Sequence, residues 1–151
     1  MTQEHYWRDR RVLVTGSAGV IGREALAILS AMGAQILSVD REALPVGEWV
    51  GCTHLRKDLA DDDLSQLVEF SPQTVIHLAA AFERSKESPG FWPVNWHDNM
   101  TCSHRVIEAC QQCDSLDSFV FASSYLVYDP QLYLCSGTPT RATALCEDDR
   151  K

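Results

Sequence analysis

The strongest constraint on this chain is a triplet of glycines between a β-branched run and a helical pattern. The run "RVLVT" spans residues 11–15, and Gly16, Gly19 and Gly22 follow it at intervals of three. Apolar residues then recur at helical spacing until Gly33, a typical helix terminator. Such glycines permit a tight turn, a close approach of backbone to a ligand, and close packing of the helix. The pattern predicts a strand–turn–helix unit whose helix N-terminus faces phosphates.

Strand-like and helix-like segments alternate along the rest of the chain. The predicted strands are 11–15, 35–40, 53–59, 74–80 and 118–124, and the predicted helices are 21–33, 61–70 and 95–113. Alternation of this kind is typical of βαβ units and a parallel sheet covered on both faces. We therefore expect an α/β chain with a Rossmann-type doubly wound parallel sheet, a single dinucleotide-binding domain over residues 1–151. Residues 81–94 are expected to form a loop.

The end of the second predicted strand bears on the choice of dinucleotide. Asp40 stands there, where an acidic side chain accepts hydrogen bonds from the ribose hydroxyls of the adenosine. The same carboxylate repels a 2′-phosphate, so NAD is favoured over NADP. Arg41 is the reason to keep NADP open, because an arginine beside this position can hold a phosphate.

Charge and cysteine usage exclude several other classes. The formal net charge is −8, which argues against a nucleic-acid partner. No apolar run approaches the ~20 residues of a membrane span, and no secretory signal opens the chain. With no export signal, free thiols and a cytoplasmic location are expected. Cys110 and Cys113 form a C-x-x-C, but no second pair completes a zinc site, so we expect a helix face and no metal site.

Four motifs, in order, resemble those of the extended short-chain dehydrogenase/reductases, the NAD-dependent epimerase/dehydratase group that acts largely on nucleotide sugars. "TGSAGVIG" (15–22) resembles the family's TGxxGxxG, and "DL" (58–59) resembles the pair beside the adenine. "VIHLAA" (75–80) resembles the strand whose end passes under the cofactor. "FASSYLVYD" (121–129) resembles the family's SSxxVYG strand end.

The resemblance implies a set of cofactor-binding residues. Asn99 is its weakest member, because Cys102 and Ser103 stand where the family has Gly and Thr. Ser123 is expected to support the backbone near the cofactor. The implied set is Gly16, Ser17, Ala18, Gly19, Val20, Ile21, Gly22, Asp40, Arg41, Asp58, Leu59, Leu78, Ala79, Ala80, Ala81, Asn99, Ala122 and Ser123.

The resemblance also implies a catalytic hydroxyl and a missing base. Ser124 corresponds to the family's serine or threonine that hydrogen-bonds the substrate oxygen undergoing hydride transfer. The family's base is the tyrosine of Tyr-x-x-x-Lys, and Tyr125, Tyr128 and Tyr133 have no lysine four residues on. "ALCEDD" (144–149) resembles the segment just before that tyrosine. We therefore expect the N-terminal part of a longer enzyme, inactive by itself.

Several interpretations of the function remain open at this point. The first is the cofactor domain of a sugar-nucleotide epimerase or reductase; Tyr125, where dehydratases carry an acid, disfavours 4,6-dehydration. The others are a non-catalytic dinucleotide-binding or redox-sensing module, and an interaction domain fused to another enzyme. Phe91, Trp92 and Trp96 flank the helix through which the family forms homodimers. They predict either an exposed apolar face with altered or weak association, because this chain lacks the partner helix of that interface, or ordinary core packing.

Overall fold

A computed structural model of the protein describes residues 3–45, 47–81 and 90–124. The chain divides into two compact units, Met1–Phe121 and Ala122–Lys151. The second unit is described only for residues 122–124. The predicted segments beyond residue 124, with all three candidate tyrosines, lie outside the described residues, as do residues 82–89.

Five parallel strands form one sheet in the first unit. The strands are β1 (Arg11–Thr15), β2 (Gln35–Asp40), β3 (Cys52–Arg56), β4 (Thr74–His77) and β5 (Ser118–Phe121). Their order is β3-β2-β1-β4-β5, and Val14 of β1 is paired with Ser38 on one side and Ile76 on the other. The predicted Rossmann-type doubly wound sheet is confirmed.

One helical segment precedes β1, and the others lie in the connections that follow β1, β3 and β4. The helical segments are α1 (Gln3–Trp7), α2 (Val20–Ala31), α3 (Ser65–Phe70), α4 (Phe91–Asn95), a π-helix (Trp96–Thr101) and α5 (Cys102–Cys110). None of the helices in the described ranges is long and apolar enough to cross a membrane. Cys110 and Cys113, the C-x-x-C pair, are both buried at the end of this helical stretch.

Two apolar clusters cover the two faces of the sheet. Leu13 of β1 packs in the cluster that includes Leu67 of α3 and Val106 of α5. Val12 and Val14 point the other way, into the cluster that includes α2. Side chains alternate between faces along a strand, so successive residues of β1 reach opposite clusters. All three of these β1 side chains are fully buried.

All three predicted helices have different bounds in the structure; the helix predicted at 21–33 spans Val20–Ala31, and the other two differ more. The helix predicted at 61–70 begins at Ser65, because the acidic residues before it form capped turns. Asp58 Oδ1 accepts a hydrogen bond from Ala60 N–H at 2.9 Å, and Asp63 Oδ1 accepts one from Ser65 N–H at 3.2 Å. The helix predicted at 95–113 begins earlier, at residue 91, includes a π-helical turn, and ends at Cys110.

Candidate functional site

A cavity of about 480 Å³ lies at the carboxyl ends of the strands. The strand order reverses between β1 and β4, so their following connections leave toward opposite faces and leave a crevice between them. Four segments line the cavity, each following one of β1 to β4, together with three helical residues. The lining is Gly16, Ala18, Gly19, Arg23, Asp40, Arg41, Glu42, Ala43, Lys57, Asp58, Leu59, Leu78, Ala79, Ala80, Ala81, Asp98 and Cys102.

The turn after β1 requires glycine at two of its positions. Gly16 has a φ of +67°, and a Cβ there would lie 2.6 Å from the backbone nitrogen of Ala79. A Cβ on Gly22 would overlap the carbonyl oxygen of Gly16 and lie 2.6 Å from Ser17 Cα. The first glycine therefore lets β1 and β4 approach each other, and the third lets α2 approach the turn.

The N-terminus of α2 follows this turn directly. Gly19 is the residue before the helix, and glycine has no side chain with which to cap the first N–H groups. Arg23, in the first turn, lines the cavity, and its Nε donates a hydrogen bond to the carbonyl oxygen of Ala18 at 3.0 Å. Uncapped N–H groups, the positive end of a helix and a nearby guanidinium together suit an anion.

Asp40 is held at the edge of the cavity by two backbone groups. Its Oδ2 accepts a hydrogen bond from Ala18 N–H at 2.9 Å, and its Oδ1 accepts one from Glu42 N–H at 2.9 Å. Each carboxylate oxygen has a further lone pair, so both can still accept a hydrogen bond from a hydroxyl of a ligand. The carboxylate predicted to hold ribose is therefore fixed against the glycine turn.

Arg41 pairs with two carboxylates of the cavity lining. Its Nη1 lies 3.2 Å from Asp98 Oδ2 and 3.7 Å from Asp58 Oδ2. Asp98 also pairs through Oδ1 with His97 Nδ1 at 3.0 Å. The hydrogen bond from His97, reinforced by Arg41, lowers the pKa of Asp98 below its usual range.

A buried hydrogen-bonded chain supports the end of β4. His77 Nδ1 lies 2.7 Å from Thr15 Oγ1, and its Nε2 lies 3.0 Å from Ser103 Oγ. Burial of the ring lowers the pKa of His77 to about 4, so the imidazole is neutral at pH 7. Thr15 Oγ1 also accepts a hydrogen bond from Ala79 N–H at 3.2 Å. The chain thus positions the backbone that lines the cavity.

The predicted cofactor residues of the first unit divide into two groups. Eleven of them line the cavity: Gly16, Ala18, Gly19, Asp40, Arg41, Asp58, Leu59, Leu78, Ala79, Ala80 and Ala81. The other five lie beside it. Ser17 is buried, and its Oγ is an unsatisfied buried polar atom within the described residues. Val20 and Ile21 expose their side chains, and Gly22 packs against the turn. Asn99 bonds both backbone groups of Ala81, at 2.8 and 3.2 Å.

Sequence reasoning missed six lining residues: Arg23, Glu42, Ala43, Lys57, Asp98 and Cys102. All six had a usable signal in the sequence, because each lies within three residues of a predicted site residue. Asp98, whose carboxylate pairs with Arg41, stands directly next to Asn99 in the chain and belongs to the π-helical turn. Across the described ranges, no group of three or more His, Cys, Asp or Glu side chains could hold a metal ion.

The residues after β5 belong to the second unit. Ala122, Ser123 and Ser124 have exposed side chains. The proposed roles of Ser123 and Ala122 beside the cofactor, and of Ser124 at the substrate, remain predictions.

Comparison with known proteins identifies the family. The model of the NAD dependent epimerase/dehydratase family matches residues 12–144. The chain belongs to this family. The match includes the glycine turn, Asp40 and every segment that lines the cavity, and it confirms the resemblance found in the motifs.

Individual relatives agree with this assignment. UDP-glucose 4-epimerase of Corynebacterium glutamicum is 28% identical over 143 residues, 88% of this chain and 41% of that protein. The structure of the epimerase Mth375 from Methanothermobacter thermautotrophicus has a TM-score of 0.74 at 25% identity, over 98% of this chain and 43% of that one. MoeE5, in complex with UDP-glucose and NAD, has a TM-score of 0.63 at 34% identity, over 79% and 38%. The chain spans less than half the length of these relatives.

The donor set of the cavity fits a dinucleotide. The glycine positions leave room that a Cβ would fill, and they stand at the uncapped start of a helix, which suits a pyrophosphate. Asp40 offers a fixed carboxylate one strand away, which suits a pair of ribose hydroxyls. The lining is part apolar, through Leu59, Leu78 and the alanines after β4, which suits flat rings.

Proposed function

We propose that this chain is the NAD-binding part of an oxidoreductase that epimerises or reduces a nucleotide sugar. The observation that carries the proposal is the fixed Asp40 carboxylate beside the glycine turn, at one cavity where the strand order reverses. The family assignment supports the cofactor. So does the presence of NAD in the solved structure of MoeE5, which is 34% identical to this chain.

Each part of the dinucleotide would bind a different part of the cavity lining. Asp40 accepts hydrogen bonds from the adenosine ribose, and the start of α2 binds the pyrophosphate. The adenine lies beside Asp58 and Leu59. The nicotinamide half passes the segment after β4, whose backbone is positioned by Thr15 and Asn99.

The substrate proposal is a nucleotide sugar, because UDP-sugars occupy the MoeE5 structures and a related protein is UDP-glucose 4-epimerase. Bound NAD supplies hydride transfer. In this proposal Ser124 donates a hydrogen bond to the sugar oxygen at the carbon that loses hydride. The sequence holds no Tyr-x-x-x-Lys to exchange the proton, so this chain binds cofactor without turnover.

A second candidate is a non-catalytic dinucleotide-binding module, which would need the cavity and the fixed Asp40 carboxylate but no catalytic base. The two candidates differ in whether a substrate adds to cofactor binding. If UDP-glucose tightens NAD binding and the Ser124→Ala change removes that effect, the enzyme reading gains support. If UDP-glucose has no effect on NAD binding, the module is favoured.

Assembly as a homodimer belongs to the proposal, in a cytoplasmic enzyme without nucleic-acid or membrane partners. Trp92 and Trp96 are 62% and 64% exposed, and Met100 and Ile107 continue the exposed apolar surface. Four large apolar side chains along one helical stretch exceed what a solvated surface usually carries. We propose that a second copy covers them.

Calorimetric titration with NAD⁺, NADH and NADPH tests the proposal. We expect NAD⁺ and NADH to bind more tightly than NADPH. The Asp40→Asn change should weaken NAD⁺ binding about tenfold, since it removes a charged hydrogen-bond acceptor worth about 1.5–3 kcal/mol. Asp61→Asn is the matched control, because Asp61 is exposed and does not line the cavity. If wild-type chain binds none of the three dinucleotides, or if Asp40→Asn binds as wild type does, the proposal is wrong.

A further inference from the structure

Charged side chains from three separate segments meet at the edge of the cavity. Arg41 follows β2, Asp58 and Asp61 follow β3, and His97 and Asp98 belong to the π-helix. We call these five residues the Arg41–Asp98 network. Asp98 is its centre, since one carboxylate oxygen pairs with Arg41 and the other with His97.

Both ring nitrogens of His97 face carboxylates. Nδ1 lies 3.0 Å from Asp98 Oδ1, and Nε2 lies 3.0 Å from Asp61 Oδ1. An ionised carboxylate only accepts hydrogen bonds, and a neutral imidazole has a single N–H. The two contacts are therefore satisfied together by the imidazolium form, which makes Asp98 the carboxylate between two cations.

The contacts of Asp98 also determine which groups the Arg41 guanidinium can bind. Its guanidinium would be the natural partner of a 2′-phosphate, because it stands next to the residue that contacts the ribose. Instead Nη1 is directed to Asp98 Oδ2 at 3.2 Å, with Asp58 Oδ2 at 3.7 Å. The Arg41 carbonyl is also held, since it accepts a hydrogen bond from Arg56 Nε at 2.9 Å.

The other two basic residues of the described lining each donate one hydrogen bond to a backbone carbonyl oxygen. Lys57 Nζ donates a hydrogen bond to the carbonyl oxygen of Asp63 at 2.8 Å, and Arg23 Nε donates one to that of Ala18. A 2′-phosphate on the ribose held by Asp40 would lie near the carboxylates of Asp40 and Glu42, while the guanidinium next to them, that of Arg41, is directed to Asp98. The negative charges of the phosphate and of these carboxylates repel each other, which disfavours binding of the phosphate.

We propose that Asp98 is a cofactor-specificity residue, which excludes NADP by holding the Arg41 guanidinium away from the ribose 2′ position. The inference rests on the proposed function, since it requires a dinucleotide in the cavity. It assigns the exclusion to a residue 58 positions from Asp40 along the chain, and it predicts that the arginine becomes a phosphate ligand once Asp98 loses its charge.

The test is calorimetric titration of wild-type chain and variants with NAD⁺ and NADP⁺, after thermal unfolding has shown that each variant is folded. Asp98→Asn should raise the affinity for NADP⁺ relative to NAD⁺ about tenfold, the effect of one charge-assisted contact. The double variant Arg41→Gln with Asp98→Asn should lose that gain. Asp61→Asn is the matched control: it removes the same charge from the same network without contacting Arg41, and should change the ratio less than about twofold.

Arg41→Gln alone provides a second measurement that needs no change at Asp98. Because the arginine is already occupied, this variant should leave the NADP⁺ to NAD⁺ ratio within about twofold of wild type. A selective loss of NADP⁺ binding in this variant would show that Arg41 already binds the phosphate, and would overturn the inference. An unchanged ratio in Asp98→Asn, or a gain that persists without Arg41, would also overturn it.

The two proposals fail in different ways. If wild-type chain and variants bind neither dinucleotide, both the proposed function and this inference are wrong. If NAD⁺ binds and Asp40→Asn weakens it, but Asp98→Asn leaves the ratio unchanged, the proposed function stands and only the role of Asp98 is lost.

Discussion

The glycine turn and the Arg41–Asp98 network lie on the same cavity but are built in opposite ways. The turn is a run of seven residues, 16–22, in which backbone conformation and the absence of side chains define the shape. The network joins side chains at positions 41, 58, 61, 97 and 98, from three segments. A phosphate site made of backbone can be encoded in a few consecutive residues, whereas a charge pair exists only after the segments have packed together.

Gly16→Ala should produce the largest effect on the turn. The change adds the cost of a positive φ, about 1–2 kcal/mol, to that of a Cβ overlapping the backbone of Leu78 and Ala79, about 1–3 kcal/mol. We expect the free energy of unfolding to fall by about 4 kcal/mol in urea denaturation.

Gly47→Ala is the matched control for that experiment. Gly47 has a φ of +77°, but a Cβ there would have no neighbour within 4 Å among the residues that the structure describes. Only the conformational cost of about 1–2 kcal/mol should remain. Equal losses in the two variants would mean that the close approach between β1 and β4 at Gly16 contributes nothing.

His77 should make the stability of the fold depend on pH, and we expect an effect of intermediate size. The imidazole is neutral in the fold, with a pKa of about 4, and returns to about 6.5 when the chain unfolds. Between these values the unfolded chain binds more protons, so stability falls as pH falls from 6.5 to 4, by up to about 3 kcal/mol.

His77→Gln isolates this contribution, because glutamine does not titrate. Urea denaturation at pH 7 and pH 4.5 should show a smaller acid loss in the variant than in wild type. The exposed His104 offers the control, and His104→Gln should keep the wild-type difference. A wild-type difference that His77→Gln leaves intact would assign the acid sensitivity to other groups.

The smallest expected effect is a change in the pKa of His97 within the Arg41–Asp98 network, measured without a ligand. Hydrogen bonds to Asp98 and then to Asp61 raise the pKa of His97 above its ordinary 6.5. NMR titration of the histidine side chains should find this pKa lowered towards 6.5 by Asp98→Asn and, to a lesser degree, by Asp61→Asn. Should neither change move it, the imidazolium does not lie between these carboxylates in solution.

The fold could be predicted where the local sequence pattern agrees with the environment that tertiary packing gives the segment. Residues 11–15 and 35–40 were predicted as strands with the bounds that the structure has, because both are apolar runs that the sheet buries on two faces. The start of α3 was misplaced, because Asp58 and Asp63 satisfy nearby backbone N–H groups instead of extending the helix. Periodicity carries no information about which side chain will cap a turn.

The candidate site also contains residues that the sequence predicted and residues that it did not. Eleven predicted residues line the cavity, all from segments that directly follow a strand. Asn99 was included through the family resemblance, and the structure gives it two backbone hydrogen bonds to Ala81. Asp98, its neighbour, was not found, since an acidic residue on a helix is most often a solvated one.

The sequence by itself determined the alternation of strands and helices, the glycine turn and the carboxylate at the end of β2, because each depends on residues close together in the chain. Only the tertiary structure decided that Arg41 faces Asp98 and Asp58, and that His77 lies between Thr15 and Ser103. Those contacts join residues 17 to 62 positions apart. Their distances follow from how strands and helices pack, which no local pattern specifies.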